Sequence, residues 1–194
     1  MTAPLVLAST SPQRRAILEQ LRIPYWPVAP DYVEHDPPDA EPITLVRDHA
    51  EGKARSVHGR GDVTLGVDTT VHLNGRIFGK PADREGARAM LHELAGRTHL
   101  VLSGLCLLGT GFDLVDHEVT RVTFRRLAAG EVDAYLDSGE WQGRAGGYAI
   151  QGLGARLVSG IEGDYLNVVG LPATLLLDAL ALHAPNLLQI PDPS

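Results

Sequence analysis

Short apolar runs alternate along this chain with stretches whose apolar residues recur every three or four places. PLVLAS (4–9) is an apolar run ending in a small hydroxyl residue, which predicts a strand and then a turn. Behind it, Ser11 is placed to cap a helix and Pro12 to open it, and Ile17, Leu18 and Leu21 form that helix's apolar stripe. PYWPV (24–28) predicts a second strand, and the prolines and acids from there to Pro42 predict a loop. Ile43, Val46, Ala50, Lys53, Ala54 and Val57 then repeat at helical spacing.

The middle of the chain switches to strand chemistry. VTLGVDTTVHL (63–73) is rich in β-branched residues, Asn74-Gly75 is a hairpin turn, and RIF (76–78) is the return strand. Asp83 caps a helix that buries Ala87, Met90, Leu91 and Leu94. THLVLSGLCLLG (98–109) and LVDHEVTRVTF (114–124) predict an antiparallel pair across Thr110–Asp113. A short helix over 129–138 presents Val132, Tyr135 and Leu136. Glycine-rich strand and turn material fills 143–170, where NVVGLP (167–172) reads as a strand-to-helix turn with Pro172 opening an apolar helix to His183. The predicted class is mixed α/β, a twisted sheet flanked by helices. Residues 1–184 are expected to form one domain of two close-packed lobes, hinged in proline-rich 27–42, and 185–194 a tail.

Composition narrows the partners. With 44% hydrophobic residues the chain can bury a core, and 5% aromatics points to aliphatic packing. A net charge of -7 argues against a nucleic-acid partner, because binding along a phosphate backbone needs a basic face. A small phosphorylated ligand needs only a few local positive charges. The sole cysteine, Cys106, excludes an intrachain disulfide and sits in an apolar run as a core thiol. No stretch approaches the roughly 18 apolar residues of a membrane span, and no basic leader precedes an apolar run. A cytoplasmic location without a membrane partner is therefore expected.

Several stretches carry candidate chemistry. In ASTSPQRR (8–15) the free amides of a helix start, the hydroxyls of Ser9, Thr10 and Ser11, and the Arg14 fork together suit phosphate oxygens; a plain helix cap explains the same residues without a ligand. GRIFGK (75–80) imitates a phosphate-binding loop, but it has one residue too few between glycines and Pro81 where a hydroxyl residue belongs. Asp68 lies mid-strand, where a carboxylate needs a partner, a cation or a water to activate. The return strand brings Lys80 back toward it, which suits an anionic substrate or a plain salt bridge. Glu34 and Lys53 read as surface charge unless Glu34 joins Asp68 as a second oxygen ligand. In GRAGGYAIQGLG (143–154), glycines permit close backbone approach, Arg144 suits a phosphate and Gln151 the edge of a base; a bulged strand is the alternative. The eight histidines, His49 among them, show no metal-ligand spacing, so oxygen-ligated Mg²⁺ or Mn²⁺ fits better than zinc.

Taken in order, ASTSPQRR, LGVDTTV with GKP ten residues on, GRTHLVLSG, EWQGRAGGYAIQG and NVVGLP resemble the Maf family of nucleotide pyrophosphatases, relatives of the inosine triphosphate pyrophosphatases. The resemblance covers most of the chain. It implies a mixed α/β fold of two lobes with a central active-site cleft, usually a homodimer, splitting nucleoside triphosphates into monophosphate and pyrophosphate with Mg²⁺ or Mn²⁺. It places Ser9, Ser11 and Arg14 on the phosphates and matches Lys53, Lys80 and Gln151 as further substrate contacts; Arg15 and Arg144 are substrate-binding candidates on their own charge. It assigns Asp68, Lys80 and Arg14 to catalysis, and Asp68 with Glu34 to the metal. GYAIQG resembles the branch acting on dTTP and UTP rather than the one preferring 7-methyl-GTP. Two departures stand out: Gln13 replaces an arginine of that branch, and Trp141 replaces a proline, placed to close over the cleft. A nucleotide sensor without turnover and a phosphatase yielding diphosphate are the competing readings.

Overall fold

The computed structural model describes residues 4–37, 40–128 and 130–189. Strand β1 (Leu5–Ala8) leads into helix α1 (Pro12–Gln20), whose N-cap Ser11 accepts a hydrogen bond from the Arg14 amide. Strand β2 (Tyr25–Val28) follows, then helix α2 (Pro42–Val57), capped by Glu41, which accepts from the Thr44 amide at 2.8 Å. Strand β3 (Val63–Leu73) turns at Asn74-Gly75, both with positive φ, into β4 (Arg76–Phe78). Asp83 caps helix α3 (Arg84–Leu94) as its sequence predicts, accepting from the Gly86 amide.

Strands β5 (Thr98–Gly109) and β6 (Phe112–Phe124) flank a tight turn at Thr110-Gly111, and helix α4 (Glu131–Asp137) buries Val132, Tyr135 and Leu136. Ala129, the predicted start of that helix, lies outside the described residues. Strand β7 (Val158–Glu162), helix α5 (Tyr165–Val169) and helix α6 (Ala173–His183) complete the order. The strands join in one seven-stranded sheet in the order β2-β1-β3-β5-β6-β7, with β4 paired to β3 off this path. The sheet is mixed: β1 pairs parallel with β2 and β3, whereas β3–β4 and β6–β7 are antiparallel. Helices flank it, as the alternating pattern requires.

The chain divides into two compact units, and β3, β5 and β6 each run through both. The first unit holds residues up to Asp68, Ser103–Glu118 and those from Gly170 on. Its interior is aliphatic: Ala50 and Ala54 of α2 pack with Cys106 and Leu108, and Val6 and Ala8 with Val57. Burial pushes the Cys106 thiol up to about 12, so it is the inert core thiol its apolar run predicts. The second unit, Thr69–Leu102 and Val119–Val169, concentrates the few aromatics. Phe78, Phe124, Tyr135, Trp141 and Tyr148 share its core with Leu91 and Leu94, so packing there is not purely aliphatic.

Three local expectations are corrected. NVVGLP does not begin as a strand: Asn167, Val168 and Val169 belong to α5, because the Asp164 carboxylate accepts from the amides of Leu166 and Asn167 at 2.7 and 3.2 Å and starts a helical turn. Pro172 is the residue before α6 rather than its first. The glycine-rich stretch folds as two 3-10 turns, Ala145–Gly147 and Gly152–Leu157, ahead of β7. Within the expected tail, Pro185–Leu188 forms a further 3-10 turn with Leu187 buried, and residues 190–194 lie outside the described ones.

Candidate functional site

Helix α2 and strand β3 meet at very short range because two sheet residues lack side chains. A Cβ on Gly66 would fall on the Ala50 carbonyl oxygen, and one on Gly104 on the Val46 carbonyl oxygen. Residues two apart in a strand share a face, so Asp68 points to the same side as Gly66, toward α2. The buried stripe of α2 includes two polar members one turn apart, His49 and Lys53. Packing that seats Ala50 and Ala54 against the sheet therefore carries both polar side chains to the Asp68 carboxylate.

Lys53 Nζ lies 2.5 Å from Asp68 Oδ1 and 2.5 Å from Glu34 Oε1. Glu34 comes from the loop after β2, and Tyr32 pins that loop: its ring lies against Gly52 and meets His49 edge-on, centroids 5.8 Å apart. His49 bridges the remaining distance. Its Nε2 is 3.3 Å from the His35 carbonyl oxygen and 3.5 Å from Asp36 Oδ1, and its Nδ1 is 3.6 Å from Asp68 Oδ2. One Asp68 oxygen is thus held by a lysine and the other faces an imidazole.

The amino end of α1 brings in the next charges. Ser9 Oγ accepts from the Ser11 amide at 3.1 Å and from the Arg14 guanidinium at 3.1 Å, while Arg14 Nε donates to the Gly170 carbonyl at 2.9 Å. Ser11 Oγ also donates to Gln13 Oε1, so the residue that departs from the family pattern is drawn into the cap. Arg15 is half-buried, and its Nε has no hydrogen-bond partner. A basic side chain at a helix start opposes the macrodipole, so Arg14 is held there by its contacts with Ser9 and Gly170 rather than by helix preference.

The electrostatics favour the charged forms of Asp68 and His49. Burial pushes the Asp68 carboxyl up, but His49, Lys53 and Arg14 outweigh it and hold the group well below the usual carboxylate range. The Asp68 carboxylate in turn raises the His49 imidazole above its ordinary value, against burial. Burial pulls the Arg14 guanidinium down while Asp68 and Glu34 pull it up. An arginine stays charged through such a shift. These mutual effects tie the start of α1 to the α2–β3 cluster.

Glu34, His49 and Asp68 each offer a ligand atom, all within 4.8 Å of one another. Two carboxylates and an imidazole are a donor set suited to a divalent cation, and Lys53 leaves Asp68 Oδ2 and His49 Nδ1 on the side away from its own contact. The residues fit the metal that the resemblance implies.

The structure thus gathers Ser9, Ser11, Arg14, Glu34, Lys53 and Asp68 within one unit. The lysine bonded to Asp68 is Lys53, which charge reading left on the surface and which is 8% exposed. His49 is the residue that sequence reasoning missed; its signal was the one-turn spacing to Lys53 on a helix face otherwise apolar. Lys80, Arg144 and Gln151 belong to the other unit. Lys80 is exposed two residues past β4. Arg144 is half-buried with its Nε unpartnered, and Gln151 is exposed at the head of the second 3-10 turn. Glu140 steadies that turn by accepting from the Leu153 and Gly154 amides. Trp141 is placed as a core residue, its indole N–H donating to the Leu136 carbonyl at 3.1 Å, because an apolar ring with one donor is satisfied inside.

The model of Maf-like proteins matches residues 4–183. The chain belongs to the Maf family. Similar proteins include a dTTP/UTP pyrophosphatase of Symbiobacterium thermophilum, 45% identical over 87% of this chain and 88% of its own length. Another, from Nitratidesulfovibrio vulgaris, is 45% identical over 93% of this chain and 90% of its own. A third, from Pyrococcus furiosus, is 41% identical over 92% of this chain and 94% of its own and carries the same description. As in the sequence reading, this Maf chain is a mixed α/β protein, and among its described residues no helix is long and apolar enough to cross a membrane.

Proposed function

We propose that this Maf chain hydrolyses dTTP and UTP at the α–β phosphate linkage, giving the nucleoside monophosphate and pyrophosphate. The observation that carries the reading is the Glu34–Lys53–Asp68 cluster beside Arg14, in a chain at least 41% identical over most of its length to relatives described as dTTP/UTP pyrophosphatases. Positive charge and hydroxyl donors at the start of α1 meet the phosphate oxygens. These are the groups that strengthen their hold as negative charge shifts to the leaving pyrophosphate. Asp68 accepts strongly and binds a proton weakly, so its part is to orient the attacking water rather than to store its proton. Lys53 keeps Asp68 ionised and aimed.

Glu34 and Asp68 would hold a divalent ion, Mg²⁺ or Mn²⁺ on the family resemblance, whose chemistry when bound is to acidify water and neutralise phosphate charge. Lys80 and Arg144 enter the reading as phosphate contacts and Gln151 as the reader of the pyrimidine edge, all three on their motifs. Homodimer formation and a cytoplasmic site of action are proposed on the same footing.

The test is a panel of dTTP, UTP, CTP, ATP, GTP and 7-methyl-GTP with Mg²⁺ or Mn²⁺, both products identified. Pyrophosphate and monophosphate are expected, with kcat/KM for dTTP and UTP at least about tenfold above the purine nucleotides, a margin of about 1.4 kcal/mol. Orthophosphate with a diphosphate would instead make the protein a phosphatase. Tight binding without turnover would make it a sensor, and a preference for 7-methyl-GTP would move it to the other branch.

A further inference from the structure

The Asp68 cluster contains a nitrogen donor that a purely oxygen-ligated magnesium site does not need. His49 is 3% exposed, and its Nε2 is turned to the His35 carbonyl oxygen at 3.3 Å. A histidine that gives its ring N–H to a backbone carbonyl presents the lone pair of its other nitrogen, which is the usual posture of a metal-bound imidazole. That other nitrogen, Nδ1, faces Asp68 Oδ2 at 3.6 Å. The separation is beyond a hydrogen bond. Two acceptors facing each other need positive charge between them, from a proton or from a metal ion. The other oxygen of Asp68 and one oxygen of Glu34 already share the Lys53 ammonium. Each carboxylate keeps a second oxygen, so the donors left to an ion are oxygens of Asp68 and Glu34 together with the His49 imidazole nitrogen.

We infer that His49 is a direct nitrogen ligand in this site and that it makes the protein select a first-row transition ion over Mg²⁺. Mg²⁺ holds its waters and wants oxygen ligands in a near-ideal octahedron, so it gains little from an imidazole. Divalent first-row ions gain from nitrogen donors, in the rising order Mn²⁺, Fe²⁺, Co²⁺. Binding displaces any proton on Nδ1, as metal binding at a histidine does. The inference rests on reading the cluster as the cation site of a pyrophosphatase and names the ion that site prefers.

Mn²⁺ is the probe. Pulsed electron paramagnetic resonance of the full chain, with Mn²⁺ alone and with Mn²⁺ plus an α,β-imido analogue of dTTP, reads nitrogen coupled directly to the ion. The expected result is a ¹⁴N modulation that changes to the ¹⁵N pattern when the protein's histidines carry ¹⁵N. It should disappear in both His49→Gln and His49→Leu. Competition titrations should show Mn²⁺ and Co²⁺ bound at least tenfold more weakly by His49→Leu than by wild type, with Mg²⁺ changed less than twofold. Absence of nitrogen coupling in wild type under both conditions would overturn the inference, and so would Mn²⁺ and Mg²⁺ affinities weakened equally by the substitution. The wild-type spectrum decides even if a variant fails to fold. Pyrophosphate release from dTTP, followed on the same samples, separates the two ideas: turnover without nitrogen coupling overturns only the His49 ligand, and coupling without turnover overturns only the pyrophosphatase reading.

Discussion

At the residue scale, the account centres on why a strand carboxylate stays ionised where it is largely shut off from water. Asp68 is stabilised by Lys53, His49 and Arg14 together, so changes on either side of the pair separate chemistry from structure. Asp68→Asn keeps the shape and removes the charge. Pyrophosphate release should fall about 10²- to 10⁴-fold, the range set by a lost acid–base or orienting group, with the fold unchanged by circular dichroism. Lys53→Met acts the other way, leaving two carboxylates facing each other. Removing one member of a buried pair costs about 3–5 kcal/mol. Glu34 is 40% exposed on its side chain and partly screened by solvent, so about 1–3 kcal/mol is the figure expected at neutral pH. Urea unfolding at pH 7 should show that loss, and a Lys53→Met protein as stable as wild type would mean that the Lys53 contacts contribute nothing.

At the element scale, the site depends on how closely α2 lies on the sheet. Gly66→Ala forces a methyl group onto the Ala50 carbonyl and pushes Lys53 and His49 away from Asp68. It should cost about 1–3 kcal/mol of stability and lower kcat more than tenfold. Gly160→Ala, in β7 where an added methyl meets nothing within 4 Å, should change stability by less than about 0.5 kcal/mol. A Gly66→Ala enzyme with unchanged kcat would detach the helix packing from catalysis. These elements also show how far the sequence could be read. Strand β1, the Ser11–Pro12 helix start, the Asn74-Gly75 hairpin and the Asp83 cap all follow from local chemistry, and the structure has each. Local pattern failed where a long-range or competing contact decides. The run Asn167–Val169 looks like a strand until the Asp164 cap is counted. Trp141 looks like a lid until its indole is seen in the core. Lys53 and His49 look like isolated polar residues until β3 supplies Asp68, a partner distant in sequence. Arg14 was legible as a positive charge at the start of α1, but the Gly170 contact that holds it was not, because Gly170 is remote along the chain.

At the scale of the whole molecule, pH offers a test of packing that does not pass through the Asp68 cluster. His99 is buried between Phe124 and Tyr148, its Nε2 2.8 Å from the Tyr148 hydroxyl, and burial pulls it down to about 4. The unfolded chain takes up this proton below about pH 6.5, whereas the folded chain resists until about 4. The contribution to stability is therefore complete above pH 6.5 and is lost between 6.5 and 4, by at most about 3 kcal/mol. Urea unfolding across that range should show His99→Gln losing less stability on acidification than wild type; parallel curves would contradict the assignment. The most direct test of the central claim is the hydrolysis of dTTP in ¹⁸O-labelled water, with the label located by mass spectrometry. Water attack on the α-phosphorus puts the label in dTMP and none in pyrophosphate. Label in pyrophosphate, or in released orthophosphate, would contradict the account.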